Sequence, residues 1–142
     1  MFIRLTDRIS VAPQIAPEDC AAAKSQGFVA IVNNRPDGEA PGQPGAAEMR
    51  AAATAAGLRY ADIPVDPSGL TMAQVQAMAA ELDAADGPML AFCRSGTRST
   101  NLWALAEASR GGDIDAIIAA AAAGGYDVSA QRPLLDRLAA RD

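Results

Sequence analysis

Cys93-Arg94-Ser95-Gly96-Thr97-Arg98-Ser99 is the stretch of this sequence whose residue types and order could do chemistry. An apolar run, Met89-Leu90-Ala91-Phe92, leads into it and reads as a buried strand that delivers Cys93 at its carboxyl end. In an open α/β sheet, ligands bind beyond those ends. Residues 94–99 form a short loop that runs into a helix start, so its free backbone N–H groups can converge on the cysteine sulfur. Gly96 permits the positive φ that lets such a loop curl. The helix dipole, the N–H groups and Arg98 would all favour a thiolate. Ser95, Thr97 and Ser99 can add hydroxyl donors, and Arg94 is expected to point outward and steer anions. The cradle would hold an anion, or the charge that develops when one is attacked. Cys93 is therefore the candidate nucleophile, weighed against a buried structural cysteine with two solvated arginines beside it.

The chain contains no histidine. That removes Ser-His-Asp and Cys-His arrangements and almost every common zinc site, so any catalysis must proceed without imidazole. No metal or other cofactor is expected. Asp66 follows an apolar segment on an Asp-Pro turn and is a candidate general acid for a leaving alkoxide; a plain turn residue is the alternative. Arg35 lies on the loop after another strand, at the same end of the sheet. It could meet an anionic substrate or pair internally with Asp37 or Glu39. Cys20, among alanines, reads as packing, as do Leu102, Trp103, Met72 and Met78.

The elements that must position these groups follow from length and pattern. The chain has 142 residues, 50% hydrophobic and 20% charged, with a formal net charge of −5. One domain over residues 1–142 fits that size. An acidic chain argues against a nucleic-acid or anionic-membrane partner. No apolar stretch approaches a membrane span, and the charged N-terminus lacks the apolar core of a signal peptide, so a cytoplasmic protein is expected. A strand or hairpin is predicted within residues 1–14, and a helix from Pro17 to Gln26. Buried strands are predicted at Phe28–Val32, Leu58–Val65 and Met89–Phe92. Residues 33–45, rich in Pro and Gly, form a loop. Helices are predicted at Ala46–Ala56, from a Thr71 cap through Leu82, at Thr100–Ser109, at Ile114–Ala123 and at Pro133–Ala140. This alternation implies a three-layer α/β domain with a central, mainly parallel sheet of 4–5 strands flanked by helices.

The loop Cys93 to Ser99 resembles the active loops of rhodaneses and of cysteine-dependent phosphatases. A wider set of segments is similar to one bacterial family. These are FVAIVNNRPDGE at 28–39, Gln43-Pro44, Ala56-Gly57-Leu58 with Tyr60, Ile63-Pro64-Val65, CRSGTRS followed by Leu102-Trp103-Ala104-Leu105, and Ala123-Gly124-Gly125-Tyr126. The family is the phosphatase-like domain first noted beside a β-lactamase-like hydrolase, also described as a small sulfurtransferase family. The resemblance covers about residues 8–128 and implies a fold like the dual-specificity phosphatases. Phosphatases of that fold separate cysteine and arginine by five residues. Four separate Cys93 from Arg98, and Phe92 stands where those enzymes often have histidine.

The shorter loop favours sulfur transfer, by resemblance to rhodaneses. Cys93 would take a sulfane sulfur as a persulfide and pass it to a thiol acceptor. The alternative is a phosphatase with a Cys93 cysteinyl-phosphate and Asp66 as general acid. A third reading is a redox sensor built on an exposed thiolate.

Overall fold

Continuous apolar runs along short strands, whose successive side chains point to opposite faces, give the chain a sheet with a core on each face. The computed structural model describes residues 2–140. Along the chain come β1 (Ile3–Arg4), β2 (Ile9–Ala12), α1 (Asp19–Ser25), β3 (Ala30–Asn33), α2 (Ala46–Ala55), β4 (Arg59–Asp62) and α3 (Met72–Ala84). β5 (Met89–Phe92), α4 (Thr97–Ser109), α5 (Ile114–Ala123), a 3-10 turn at Ser129–Gln131 and α6 (Arg132–Ala139) complete it. The sheet order is β1-β2-β5-β3-β4; β1 is antiparallel to β2 and all other pairs are parallel. This is the expected α/β architecture, with β1 and β2 as the N-terminal hairpin. Met1, included in that expectation, lies outside the described residues.

Period-two alternation sorts β5 between two layers. Met89 and Ala91 join the core beneath α3, α4, α5 and α6, with Trp103, Leu105, Met78 and Leu135. Leu90 and Phe92 join the opposite core with Cys20, Ala23, Met49 and Ala53 of α1 and α2. Cys20 and Trp103 are thus packing residues, as expected, and burial followed by the charge of Asp19 pushes the Cys20 thiol up.

Three expectations change. β4 is an edge strand, with Arg59 and Asp62 exposed, because no strand covers its far side. Met72 is exposed whereas Met78 is fully buried, since Met72 occupies the first turn of α3, ahead of its packed stripe. α4 begins at Thr97, not Thr100, and so takes Arg98 and Ser99 into its first turn.

Two helix starts fix the loops near the sheet's carboxyl end. Thr71 and Gln74 form a reciprocal capping box on α3. The Gln74 amide also donates to the Pro64 carbonyl at 2.9 Å, tying α3 to the connection after β4. Asp37 Oδ1 accepts from the Ala46 N–H at 2.8 Å and anchors the 34–45 loop to α2.

Candidate active site

β5 is the middle strand, bonded to β2 on one side and β3 on the other, with Phe92 level with Ala12 and Asn33. Cys93 is the next residue, so the most constrained backbone in the sheet fixes it. Its N–H donates to the Ala12 carbonyl at 3.4 Å, and the Gln14 N–H donates to the Arg94 carbonyl at 3.3 Å. Only residues 94–96 then intervene before α4. Gly96, at φ 92°, turns the chain into that helix. Its N–H donates to Cys93 Sγ at 3.1 Å. The sulfur therefore sits at the amino end of a thirteen-residue helix, where the backbone presents partial positive charge.

The residues around it divide into a rim and a frame. Arg94, Ser95 and Thr97 are exposed, and Ser95 Oγ donates to Thr97 Oγ1 at 3.0 Å. Ser99 was expected among the anion donors, but it is fully buried and its hydroxyl donates to Asn34 Oδ1 at 2.7 Å. The early start of α4 swings it inward. Thr100 Oγ1 closes onto the Gly96 carbonyl at 2.8 Å. Asn34 is a frame residue that spacing did not reveal. Its N–H reaches the Phe92 carbonyl, its side-chain amide reaches the Ile63 carbonyl, and its own carbonyl receives the Val65 N–H.

Arg98 does not wait with a free fork. Nη1 and Nη2 each donate to one oxygen of Glu39 at 2.8 Å, and Nη1 also donates to the Val65 carbonyl at 2.7 Å. Arg35, expected either as a substrate contact or as an internal partner of Asp37 or Glu39, is 6% exposed. Its Nε donates to the same Glu39 carboxylate at 3.0 Å and its Nη1 to Gln14 Oε1 at 3.1 Å. The loop after β3 folds it inward, so it braces Glu39 instead of facing the cradle. Asp37 pairs with neither arginine. Hydrogen bonding from Arg98, then from Arg35, outweighs burial and holds the Glu39 carboxyl down at about 2. The bonds that Arg98 donates to Glu39, and behind them the charge of Cys93, push the Arg98 pKa up.

Asp66 lies on an exposed turn, where Oδ1 accepts the Ser68 N–H at 2.8 Å. That bond lowers its pKa. A cavity of about 300 Å³ opens between it and Arg98, lined also by Pro67, Leu70, Asn101 and Gln131. Cys93 itself has no exposed surface. This corrects the picture of an open thiolate on which the sensor reading stood: the loop curls tightly enough to cover the sulfur.

Chemically, the arrangement combines a thiol facing a helix amino terminus, an arginine in the first turn, and a carboxylate across a cavity from that arginine. Asn34 and Gln14 were missed as parts of this frame; Glu39 was read as an internal partner of Arg35, which it is, but not as the partner of Arg98. Glu39 and Asn34 belong to the NNRPDGE segment, but their partners lie 59 and 65 positions away in sequence.

Residues 2–110 match the family described as the phosphatase-like domain of Beta-lactamase hydrolase-like protein. The Beta-lactamase hydrolase-like protein of Agrobacterium fabrum is 41% identical over 109 residues, covering 77% of this chain and 25% of that protein. Its Xylella fastidiosa (strain 9a5c) counterpart is 34% identical over 139 residues, 97% of this chain and 32% of the relative. The chain thus spans about a quarter to a third of these relatives. Among solved structures, a Neisseria meningitidis protein assigned as a phosphatase superposes with a TM-score of 0.80 at 30% identity, covering 96% of both chains. Kinase associated phosphatase superposes with a TM-score of 0.71 at 17% identity, covering 94% of this chain and 89% of that one, a likeness of fold.

Proposed function

The chain belongs to the phosphatase-like domain family of Beta-lactamase hydrolase-like proteins, and from that premise we propose that it hydrolyses phosphate monoesters through Cys93. The observation that carries this reading is the sulfur at the carboxyl end of the central strand, under the Gly96 N–H, with Arg98 in the first turn of the helix that follows. The Cys93 thiolate attacks phosphorus, an S–P bond forms and the ester P–O bond breaks. The leaving oxygen takes a proton, and water then cleaves the cysteinyl-phosphate to release phosphate and restore the thiol. Arg98, with the backbone N–H groups, stabilises the charge on the transferring group. The rest of the substrate occupies the cavity between Arg98 and Asp66.

Asp66 is the candidate proton donor. Its bond from Ser68 favours the charged form, so little of it carries a proton near neutrality. Aryl esters, whose leaving groups need little protonation, should therefore turn over faster than alkyl esters. Asp66→Asn should slow alkyl esters more than aryl ones. Equal slowing of both would remove Asp66 from that role.

A second reading, sulfur transfer, rests on the spacing of the loop: four residues separate Cys93 from Arg98, against five in phosphatases of this fold, which makes the loop resemble that of rhodaneses. The Cys93 thiolate would attack the outer sulfur of a donor such as thiosulfate, releasing sulfite and leaving a persulfide for a thiol acceptor. One experiment separates the readings. Purified protein and Cys93→Ser are incubated with an aryl phosphate and, separately, with thiosulfate; phosphate release and intact mass are followed. Phosphate release that Cys93→Ser lacks supports the phosphatase. A single added sulfur atom without phosphate release replaces it with sulfur transfer.

A further inference from the structure

The Gly124-Gly125-Tyr126 turn stands apart from the site in sequence, and none of the chemistry above uses it. In the fold it closes on the active loop. Tyr126 Oη donates to the Ser95 carbonyl at 3.0 Å. The two glycines bring it there. A Cβ on Gly124 would lie 2.7 Å from Leu5 Cδ2, so glycine lets the turn settle against the N-terminal hairpin without displacing that side chain. Gly125 takes φ 95°, which favours glycine. Gly96 completes the fit, since a Cβ there would overlap the Tyr126 hydroxyl.

The Ser95 carbonyl and the Gly96 N–H belong to one peptide unit. That unit is trans, so its oxygen and hydrogen point in opposite directions. Tyr126 holds the oxygen end and Cys93 Sγ receives the hydrogen end at 3.1 Å. Rotating this peptide would turn a carbonyl toward the sulfur and repel a thiolate. A hydrogen bond on a carbonyl also polarises the N–H of the same amide and strengthens it as a donor.

We propose that Tyr126 is a positioning residue that fixes the Ser95–Gly96 peptide with its N–H on Cys93, and so sets the ionisation of the nucleophile from outside the loop. The inference rests on the reading of Cys93 as the reacting group. Burial, then the charge of Cys93, pushes the Tyr126 pKa up, which keeps its hydroxyl a donor. The other charged group facing the sulfur is Arg98 of α4, with Glu39 from the loop after β3 behind it. Asp66, from the turn after β4, looks toward Arg98 across the cavity, and Arg94 is exposed on the loop itself.

The test reads ionisation, not turnover. Ultraviolet thiolate absorbance is followed against pH as the difference between protein with Cys93 and protein with Cys93→Ser, in the Tyr126 and Tyr126→Phe backgrounds. The bond removed ends on the Ser95 carbonyl and not on the sulfur, so the Cys93 ionisation constant should fall by less than the roughly tenfold that loss of a whole hydrogen bond would give, with the midpoint moving to higher pH. Thermal melting checks that the variant is folded. An unmoved midpoint in folded Tyr126→Phe overturns the proposal. Absence of phosphate release would defeat the phosphatase reading but leave this titration intact.

Discussion

Glu39 is the residue on which the frame of the site turns. It holds both oxygens against Arg98 and one also against Arg35, so a single carboxylate aligns the guanidinium in the first turn of α4. Glu39→Gln keeps the shape and removes the charge. It should reduce turnover about tenfold or more, because a charge-assisted bidentate pair becomes an ordinary hydrogen bond. Steady-state kinetics checks this. The pair also predicts a pH window. The Glu39 pKa is lowered from 4.5 to about 2, so its stabilisation is complete above the ordinary value and is lost as pH falls toward about 2. Urea unfolding should find Glu39→Gln less stable than the parent near neutrality, with the gap closing as pH drops through that window. At this scale, residue types revealed Cys93 and its loop, because a strand, a cysteine, a glycine turn and an arginine follow one another along the chain. The pairing of Glu39 with Arg35, four positions away, was legible; its hold on Arg98 and the contact made by Tyr126 were not, because each depends on a group far away in sequence.

Elements were easier to read than their edges. The helix spans predicted at 46–56 and 114–123 agree with α2 and α5 to within one residue, each marked by a glycine or an aspartate at its start. The start of α4 was placed three residues late, since Thr97, Arg98 and Ser99 carry no apolar periodicity to announce a helix. β4 reads as buried from its composition, yet position in the sheet decides exposure, and adjacency is not written locally. α3 shows how an element can serve the site indirectly. Its capping box and the bond from Gln74 to Pro64 brace the connection that carries Asp66. Thr71→Ala should cost about 1 kcal/mol in denaturant unfolding, the usual price of a lost cap. Gln74→Ala should cost a similar amount and also raise KM for esters that fill the cavity beside Asp66.

The whole molecule is arranged around α4, which packs against α3, α5 and α6 while its first turn forms the site. The family match ends at residue 110, but the core does not. Val128, Leu135 and Leu138 are buried against it, and Gln131 and Leu134 wall the cavity. Each buried aliphatic side chain contributes about 1.5–3 kcal/mol, against a typical total stability of about 5–15 kcal/mol. A chain ending at residue 128 should therefore melt far below the full chain or lose its cooperative transition, as circular dichroism would show. The two-sided sheet was legible from continuous apolar runs, and its order of elements from the alternation of strand and helix along the chain. The convergence of the 34–45 loop, the turn after β4 and Tyr126 on one strand end was not, because only the folded topology brings them together. The burial of Cys93 has a kinetic consequence. A sulfur with no accessible surface meets its partner only while the loop is displaced, so displacement precedes bond formation. Raising the concentration of a small thiol reagent should then speed labelling only to a plateau, and the plateau rate belongs to the protein, the same whichever reagent is used.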